Sequence, residues 1–204
     1  MRIIAGSRAR MILMAPREFI TRPITDRVKE SLFAILSSRL EGVFVADLFC
    51  GTGSLGLEAL SRGARHALMV EKDRDALVRL RKNIAKLRFE ECCTVLPIDA
   101  FKFDLDRAAK HHKIFTKEIE AGGNLVFIDP PYRLSRDVNM ESSLGRLLSR
   151  LSAQTADRAL VVVRHEKRTV LRKQYHNLYE QDRREYGGMA ITFLEKIIGP
   201  ETQA

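Results

Sequence analysis

The 204-residue chain has no tryptophan, three cysteines and no long apolar run. Each scarcity excludes something. A membrane-spanning helix needs roughly 18 or more largely uncharged apolar residues, and no stretch approaches that length. The first ten residues, Met-Arg-Ile-Ile-Ala-Gly-Ser-Arg-Ala-Arg, lack the apolar core of a secretory signal, and Arg8, Arg10 and Arg17 break up the residues after Gly6. Cys50, Cys92 and Cys93 are odd in number and two are adjacent, so they make no disulfide framework. No CxxC or Cys/His ligand spacing occurs, and His111-His112 has no matching ligands, so no metal is expected. Internal repeats and low-complexity linkers are also missing. A cytoplasmic, non-membrane protein is the expectation.

With 45% apolar and 30% charged residues, the chain has the makeup of one α/β domain with a small appendage. Net charge is 35 − 26 = +9, and the excess is localised. Residues 1–22 hold five Arg against Glu18. Residues 158–184 hold eight Lys or Arg (Arg158, Arg164, Lys167, Arg168, Arg172, Lys173, Arg183, Arg184) against three acids. Either these are solvated surfaces, or they form a phosphate-binding rim fed from both chain ends.

Residues 2–4 and 10–14 read as a short hairpin or arm. Thr25 or Asp26 can cap a helix reaching about Arg39. Apolar runs at Val43–Leu48, His66–Glu71, Thr94–Ile98, Asn124–Ile128 and Ala159–Val163 read as strands, with Pro97 placing the third nearer an edge. Helices are expected at 54–60, 75–87 and about 140–153, with a polar helix or loop from Phe103 to about Gly123. Strands near Asn177–Glu180 and Met189–Lys196 have no crossover helix between them, so they pair antiparallel. This alternation gives a doubly wound α/β sheet with its site at the strand C-termini.

Gly51-Thr-Gly53-Ser-Leu-Gly56 matches GxGxxG, and Glu71 lies 20 residues beyond Gly51. Alone, that is the dinucleotide fingerprint. Any adenosine-bearing cofactor would use the same glycines and the same ribose-binding acid. Asp47, ahead of the glycines, would repel a pyrophosphate but welcome a sulfonium cofactor carrying an ammonium group. Asp99-Ala100 ends the third strand, where an acid can accept from an adenine amine. The ordered acids Asp47, Glu71 and Asp99 suit S-adenosyl-L-methionine better than NAD.

Asp129-Pro130-Pro131-Tyr132 follows the fourth strand. Its prolines stiffen the backbone and remove N–H donors, so the Asp129 carboxylate and the Pro130 carbonyl can serve as acceptors. Two acceptors on an amino group orient its nitrogen lone pair, and the Tyr132 ring can stack on a base.

Asp47-Leu-Phe-Cys-Gly-Thr-Gly, Glu71-Lys-Asp, Asp99-Ala and Asp129-Pro-Pro-Tyr, in that order, resemble the class I, amino-directed methyltransferases. Met1–Gly6, Arg22-Pro-Ile-Thr-Asp-Arg-Val-Lys-Glu30, Leu57–Gly63 and Arg184-Glu-Tyr-Gly187 resemble the RsmD-type bacterial 16S ribosomal RNA guanine-N2 methyltransferases. The resemblance covers nearly the whole chain. It implies a Rossmann-like, mostly parallel seven-stranded sheet with an antiparallel last strand. A small N-terminal hairpin or arm, residues 1–22, would contact RNA ahead of a methyltransferase domain at 23–204.

By motif match, Asp47, Phe49, Gly51 and Gly53 would line the methionine end of S-adenosylmethionine, Glu71 the ribose, and Asp99 with Ala100 the adenine. Asp129, Pro130 and Tyr132 would handle the target base, and Arg8, Arg10, Arg22, Thr25 and Arg27 would meet RNA. The implied substrate is a guanine of 16S rRNA, naked or within the small subunit, methylated by a monomer. Cys50 and Ile24 depart from the family pattern without removing a proposed chemical group, and the stretch Lys110–Gly123 is longer than typical. DNA adenine-N6 methylation, protein glutamine methylation and a non-catalytic RNA-binding assembly role remain as alternatives, with NAD oxidoreduction last.

Overall fold

The computed structural model describes residues 1–15, 24–111 and 124–197. Eight strands form one sheet: β1 (Phe44–Leu48), β2 (His66–Val70), β3 (Cys93–Leu96), β4 (Asn124–Ile128), β5 (Leu160–Glu166), β6 (Gln174–Tyr175), β7 (Leu178–Tyr186) and β8 (Met189–Lys196). Their spatial order is β3-β2-β1-β4-β5-β8-β7-β6. The first five run parallel, and β8, β7 and β6 pair antiparallel beyond β5. Strand β3 stops before Pro97 and lies at the edge, as the proline implies.

Alternation along each central strand feeds two cores. Val45, Ala67, Met69, Leu125 and Phe127 face α1 (Asp26–Ile35), α2 (Ser54–Ser61) and α3 (Arg74–Leu87). Phe44, Ala46, Leu48, Val126 and Ile128 face α4 (Leu105–His111) and α5 (Ser143–Gln154). The buried strands are apolar on both sides because helices cover both.

The structure corrects the expectations from sequence in several places. The last strand, β8, runs antiparallel between β5 and β7, as expected, but the sheet has eight strands rather than seven. The additional strand, β6, is two residues long, too short to leave a periodic pattern. Helix α1 ends at Ile35, followed by a separate 3-10 turn over Ser37–Arg39. Strand β5 continues through Arg164-His165-Glu166, where polar side chains hide its extension. His165 is buried, and both its ring nitrogens have partners, Nε2 with Thr192 Oγ1 at 2.8 Å and Nδ1 with Glu166 O at 2.9 Å. Of the polar stretch, α4 is described, and residues 112–123 lie outside the described residues.

The N-terminal hairpin is minimal: a bridge between Arg2 and Ile12, with Ile3 N–H donating to Met11 O at 2.9 Å and Arg10 N–H to Ile3 O at 2.9 Å. It is bound to the sheet-covering helices. Ile3 and Leu13 are buried in the α1–α3 core. Glu58 of α2, fully buried, accepts from Ile4 and Ala5 N–H and from Arg62 Nε. Lys29 of α1 lies 3.1 Å from Glu58 and donates to Arg2 O. Burial lowers the Lys29 pKa while Glu58 opposes that shift. This buried network ties hairpin, α1 and α2 together, which fixes where the N-terminus of α1 sits.

Candidate active site

The register of the parallel strands places their C-termini side by side. Leu48 pairs with both Val70 and Ile128, and Val70 with Leu96. Four acids follow in spatial order from the edge inward: Asp99, Glu71, Asp47 and Asp129.

Asp47, on β1, is 1% exposed. Its Oδ2 accepts from Gly56 N–H at 2.8 Å, and its Oδ1 has no hydrogen-bond partner among the described residues. Burial pushes its pKa up to about 8; the Gly56 N–H opposes this, and the neighbouring carboxylates of Asp129 and Glu71 add to it. A buried acceptor without a donor is costly unless a ligand satisfies it.

The turn after β1 needs left-handed backbone: φ is +62° at Phe49, +55° at Gly51 and +89° at Gly53. A Cβ on Gly53 would lie 2.6 Å from Leu80 Cδ1, whereas one on Gly51 would meet nothing within 4 Å. Gly53 therefore packs the loop onto α3, and Gly51 borders open space. Glu71 closes the loop: its Oε2 accepts from Gly51 N–H at 2.9 Å, and its Oε1 from Lys72 and Asp73 N–H at 2.8 Å each.

Asp99 caps the turn before Ala100, accepting from Phe101 N–H at 3.0 Å, and pairs with Lys72 Nζ at 2.8 Å. Burial raises its pKa, but the Lys72 and Phe101 donors prevail and hold the carboxyl below its ordinary value. Ala100 is buried. Phe49 and Phe101 meet edge to face at 4.9 Å, joining the glycine turn to the Asp99 corner.

Asp129 N–H bonds Leu48 O at 3.2 Å, which continues the ladder past β4. Its side chain is 18% exposed, and burial raises its pKa against the pull of Arg164. After Pro130-Pro131, Tyr132 opens a 3-10 turn, whose carbonyl accepts from Ser135 N–H and Oγ at 3.1 Å each. Tyr132 lines a cleft of about 560 Å³ with Thr25, Arg27, Val28, Ser31 and the Tyr186–Met189 corner of the β7–β8 hairpin. Thr25 caps α1, accepting from Val28 N–H. Ser31 Oγ lies 2.9 Å from Tyr186 Oη, joining α1 to β7 across the cleft.

The structure thus gathers Thr25 and Arg27 with Tyr132, and sets Asp47, Phe49, Gly51, Gly53, Glu71, Asp99 and Ala100 along the strand ends. Arg8 lies elsewhere: its Nε donates to Leu87 O at 2.7 Å and its guanidinium sits 5.4 Å from the Phe89 ring. Arg10 is exposed on the hairpin turn. Arg22 lies outside the described residues.

Four participants lacked a sequence assignment: Ser31, Tyr186, Met189 and Arg164. The Arg184-Glu-Tyr-Gly187 segment was the only signal for Tyr186, and it carried no role. Arg164 was counted within a basic surface segment, yet it is 4% exposed and its Nε lies 2.5 Å from Asp129 Oδ1. Most of that segment is locally compensated. Lys167 pairs with Glu185, Arg168 with Glu166, Lys173 with Glu180, Arg183 with Glu185 and Arg184 with Asp182. No group of three His, Cys, Asp or Glu suited to a metal occurs among the described residues. No helix there is long and apolar enough to cross a membrane.

Residues 1–195 match the family model described as Conserved hypothetical protein 95. The chain is 31% identical over 198 residues to a Bacillus subtilis protein named "Putative rRNA methyltransferase YlbH", covering 96% of this chain and 99% of that one. It is 35% identical over 168 residues to the Escherichia coli (strain K12) "Ribosomal RNA small subunit methyltransferase D", covering 81% and 74%. The solved structure titled "Putative methyltransferase yhhF from Escherichia coli" superposes with a TM-score of 0.75 at 31% identity, over 97% of this chain and 98% of that one. Fold, ordered strand-end acids and matched sequence length agree: the chain belongs to the Conserved hypothetical protein 95 family, the RsmD-type family of class I S-adenosylmethionine-dependent methyltransferases.

Proposed function

We propose that this protein transfers a methyl group from S-adenosylmethionine to the exocyclic N2 of a guanine in 16S rRNA. The observation that carries the reading is the rigid Asp129-Pro-Pro-Tyr132 corner, which joins the strand-end acids to the Tyr132 cleft. The relatives named for ribosomal RNA methylation support the substrate class.

The residues present fit the cofactor. Asp47 Oδ1 is an orphaned buried acceptor suited to an ammonium group, and the space beside Gly51 admits a close backbone approach. Glu71 would take a ribose hydroxyl on the Oε2 lone pair left by its three backbone N–H donors. Asp99 and Ala100 would border the adenine. When bound, the cofactor supplies a methyl group on a sulfonium. Asp129 and the Pro130 carbonyl accept the amine hydrogens of the target, turning its lone pair toward the methyl donor. Tyr132 stacks on a base presented from a loop or flipped from its helix. Thr25 and Arg27 border the entrance, and Arg10 and Arg22 would meet RNA phosphates. In this reading, residues 1–22 act as an RNA-contacting arm on a monomeric enzyme.

Labelled S-adenosylmethionine with unmodified small subunits, naked 16S RNA and DNA, followed by nucleoside mass spectrometry, tests the proposal. N2-methylguanosine from a ribosomal substrate is expected. N6-methyladenine in DNA would overturn the substrate, and absence of transfer to any nucleic acid would overturn the reading.

A further inference from the structure

We propose that Arg164 is a positioning residue for methyl transfer, fixing the Asp129 carboxylate and the Tyr132 ring in the arrangement that receives the target amine. This inference rests on the function proposed above and adds a residue to its machinery.

Arg164 is on β5, next to β4, and shares a strand face with Leu160 and Val162 of the core on the α1 side. It is 4% exposed. Its Nε lies 2.5 Å from Asp129 Oδ1, and its guanidinium carbon lies 5.8 Å from the Tyr132 ring centroid. One planar cation therefore engages both side chains proposed to handle the base. Neither contact is local: Asp129 precedes Arg164 by 35 residues.

A buried ion pair is weak as a stabilising device, since apolar side chains of similar volume often serve as well or better. What this pair supplies is a carboxylate held in one orientation, with a cation beside it that favours the ionised form. Arg164 takes Oδ1, so the acceptor offered to an amine is Oδ2. Among the described residues, the charged or titratable groups about Asp129 include Asp47 from β1, Arg164 from β5 and Tyr132 in its own turn. Of these, Arg164 is the one that opposes the upward shift burial imposes on Asp129. Without it, the carboxyl protonates at higher pH and presents an O–H donor where the amine needs an acceptor. The guanidinium over the ring also limits the tilt of Tyr132.

The test compares Arg164→Met, Arg164→Lys, Asp129→Asn and the double variant, with S-adenosylhomocysteine binding as the check on folding. Arg164→Met is expected to lower kcat about 10- to 100-fold with KM for RNA little changed, as expected for a misplaced reacting group. Its acid limb of kcat moves to higher pH. Arg164→Lys keeps the charge and restores the limb, but recovers the rate only in part because the planar fork is lost. In the Asp129→Asn background, Arg164→Met costs little more, because Arg164 acts through Asp129. An unchanged acid limb, a faster Arg164→Met enzyme or fully additive losses would overturn the inference. If the wild-type protein methylates no RNA, the function fails separately. Carbon-13 NMR of labelled aspartates, with Asp129→Asn as the assignment control, then still reads whether Arg164→Met raises the Asp129 titration; no change would overturn the inference.

Discussion

The four strand-end acids divide between the centre and the edge of the sheet. Asp47, on β1, and Asp129, just past β4, are largely shielded from water and have raised pKa values. Glu71 and Asp99, beyond β2 and β3, are already supplied with donors: three backbone N–H groups for Glu71, Lys72 and Phe101 for Asp99. Equivalent positions in the same topology thus give different chemistry. At the centre, desolvation leaves acceptor capacity in reserve for a cationic or amine-bearing ligand. At the edge, the carboxylates shape loops before any ligand arrives.

The sharpest way to break this contrast is Asp129→Ala. It is expected to lower kcat about 10²- to 10³-fold, the scale of losing a preorganised electrostatic partner, while RNA affinity stays within about twofold. Loss of RNA affinity in parallel with rate would remove the distinction between chemistry and grip.

Asp47 gives the next largest effect. Asp47→Asn is expected to weaken S-adenosylmethionine binding about 10- to 100-fold, the scale of a hydrogen bond to a charged group. With a pKa of about 8, Asp47 is mostly protonated at pH 7 in the free protein. An ammonium ligand would ionise it, releasing up to about one proton, and calorimetry in buffers of different ionisation enthalpy reads that release. It should vanish in Asp47→Asn. Stability carries the matching sign. The folded protein binds more protons than the unfolded chain between the ordinary aspartate value and about 8. The contribution of neutral Asp47 is therefore full below that window and is lost as pH rises through it. Asp47→Asn should flatten this part of the stability profile.

Asp99→Asn, at the edge, is expected to weaken cofactor binding only about threefold to tenfold. No proton should be exchanged there, because Asp99 is held below the ordinary carboxylate range and is already ionised. A proton release that disappeared in Asp99→Asn rather than in Asp47→Asn would reverse the centre-to-edge assignment. In the cleft, Tyr186→Phe removes the bond to Ser31 and should raise KM for RNA about threefold with kcat preserved. The smallest effect belongs to Arg10→Glu, expected to weaken RNA binding a few-fold and reduce its salt slope by about one to two contacts. Arg8→Glu would also disturb the hairpin, because Arg8 holds Leu87 O.

The strand-end acids were legible because each follows, or lies at the end of, an apolar run, whereas their centre-to-edge order came from the sheet. The fourth strand, Asn124–Ile128, has the bounds read from its pattern. Asp129 was identifiable because the strand ends there and two prolines follow. Arg164 was misplaced for the opposite reason: among nearby Lys and Arg it looked like surface charge. Its burial depends on Asp129 being one strand away, a fact of sheet order rather than of local pattern. The Ser31–Tyr186 bond joins residues 155 positions apart, and β6 is only two residues long, so neither leaves a periodic trace.

By itself the sequence determined the α/β alternation, the left-handed glycine turn and the acids available at the strand ends. Hydrophobic period, turn chemistry and side-chain type act within a few residues of one another. Tertiary structure decided which acids are buried and which are donor-satisfied, and which basic residue is drawn inward. It also closed the cleft from α1, the Tyr132 turn and the β7–β8 hairpin. Those outcomes depend on dielectric environment and on strand order, which exist only once segments distant in the chain have packed together.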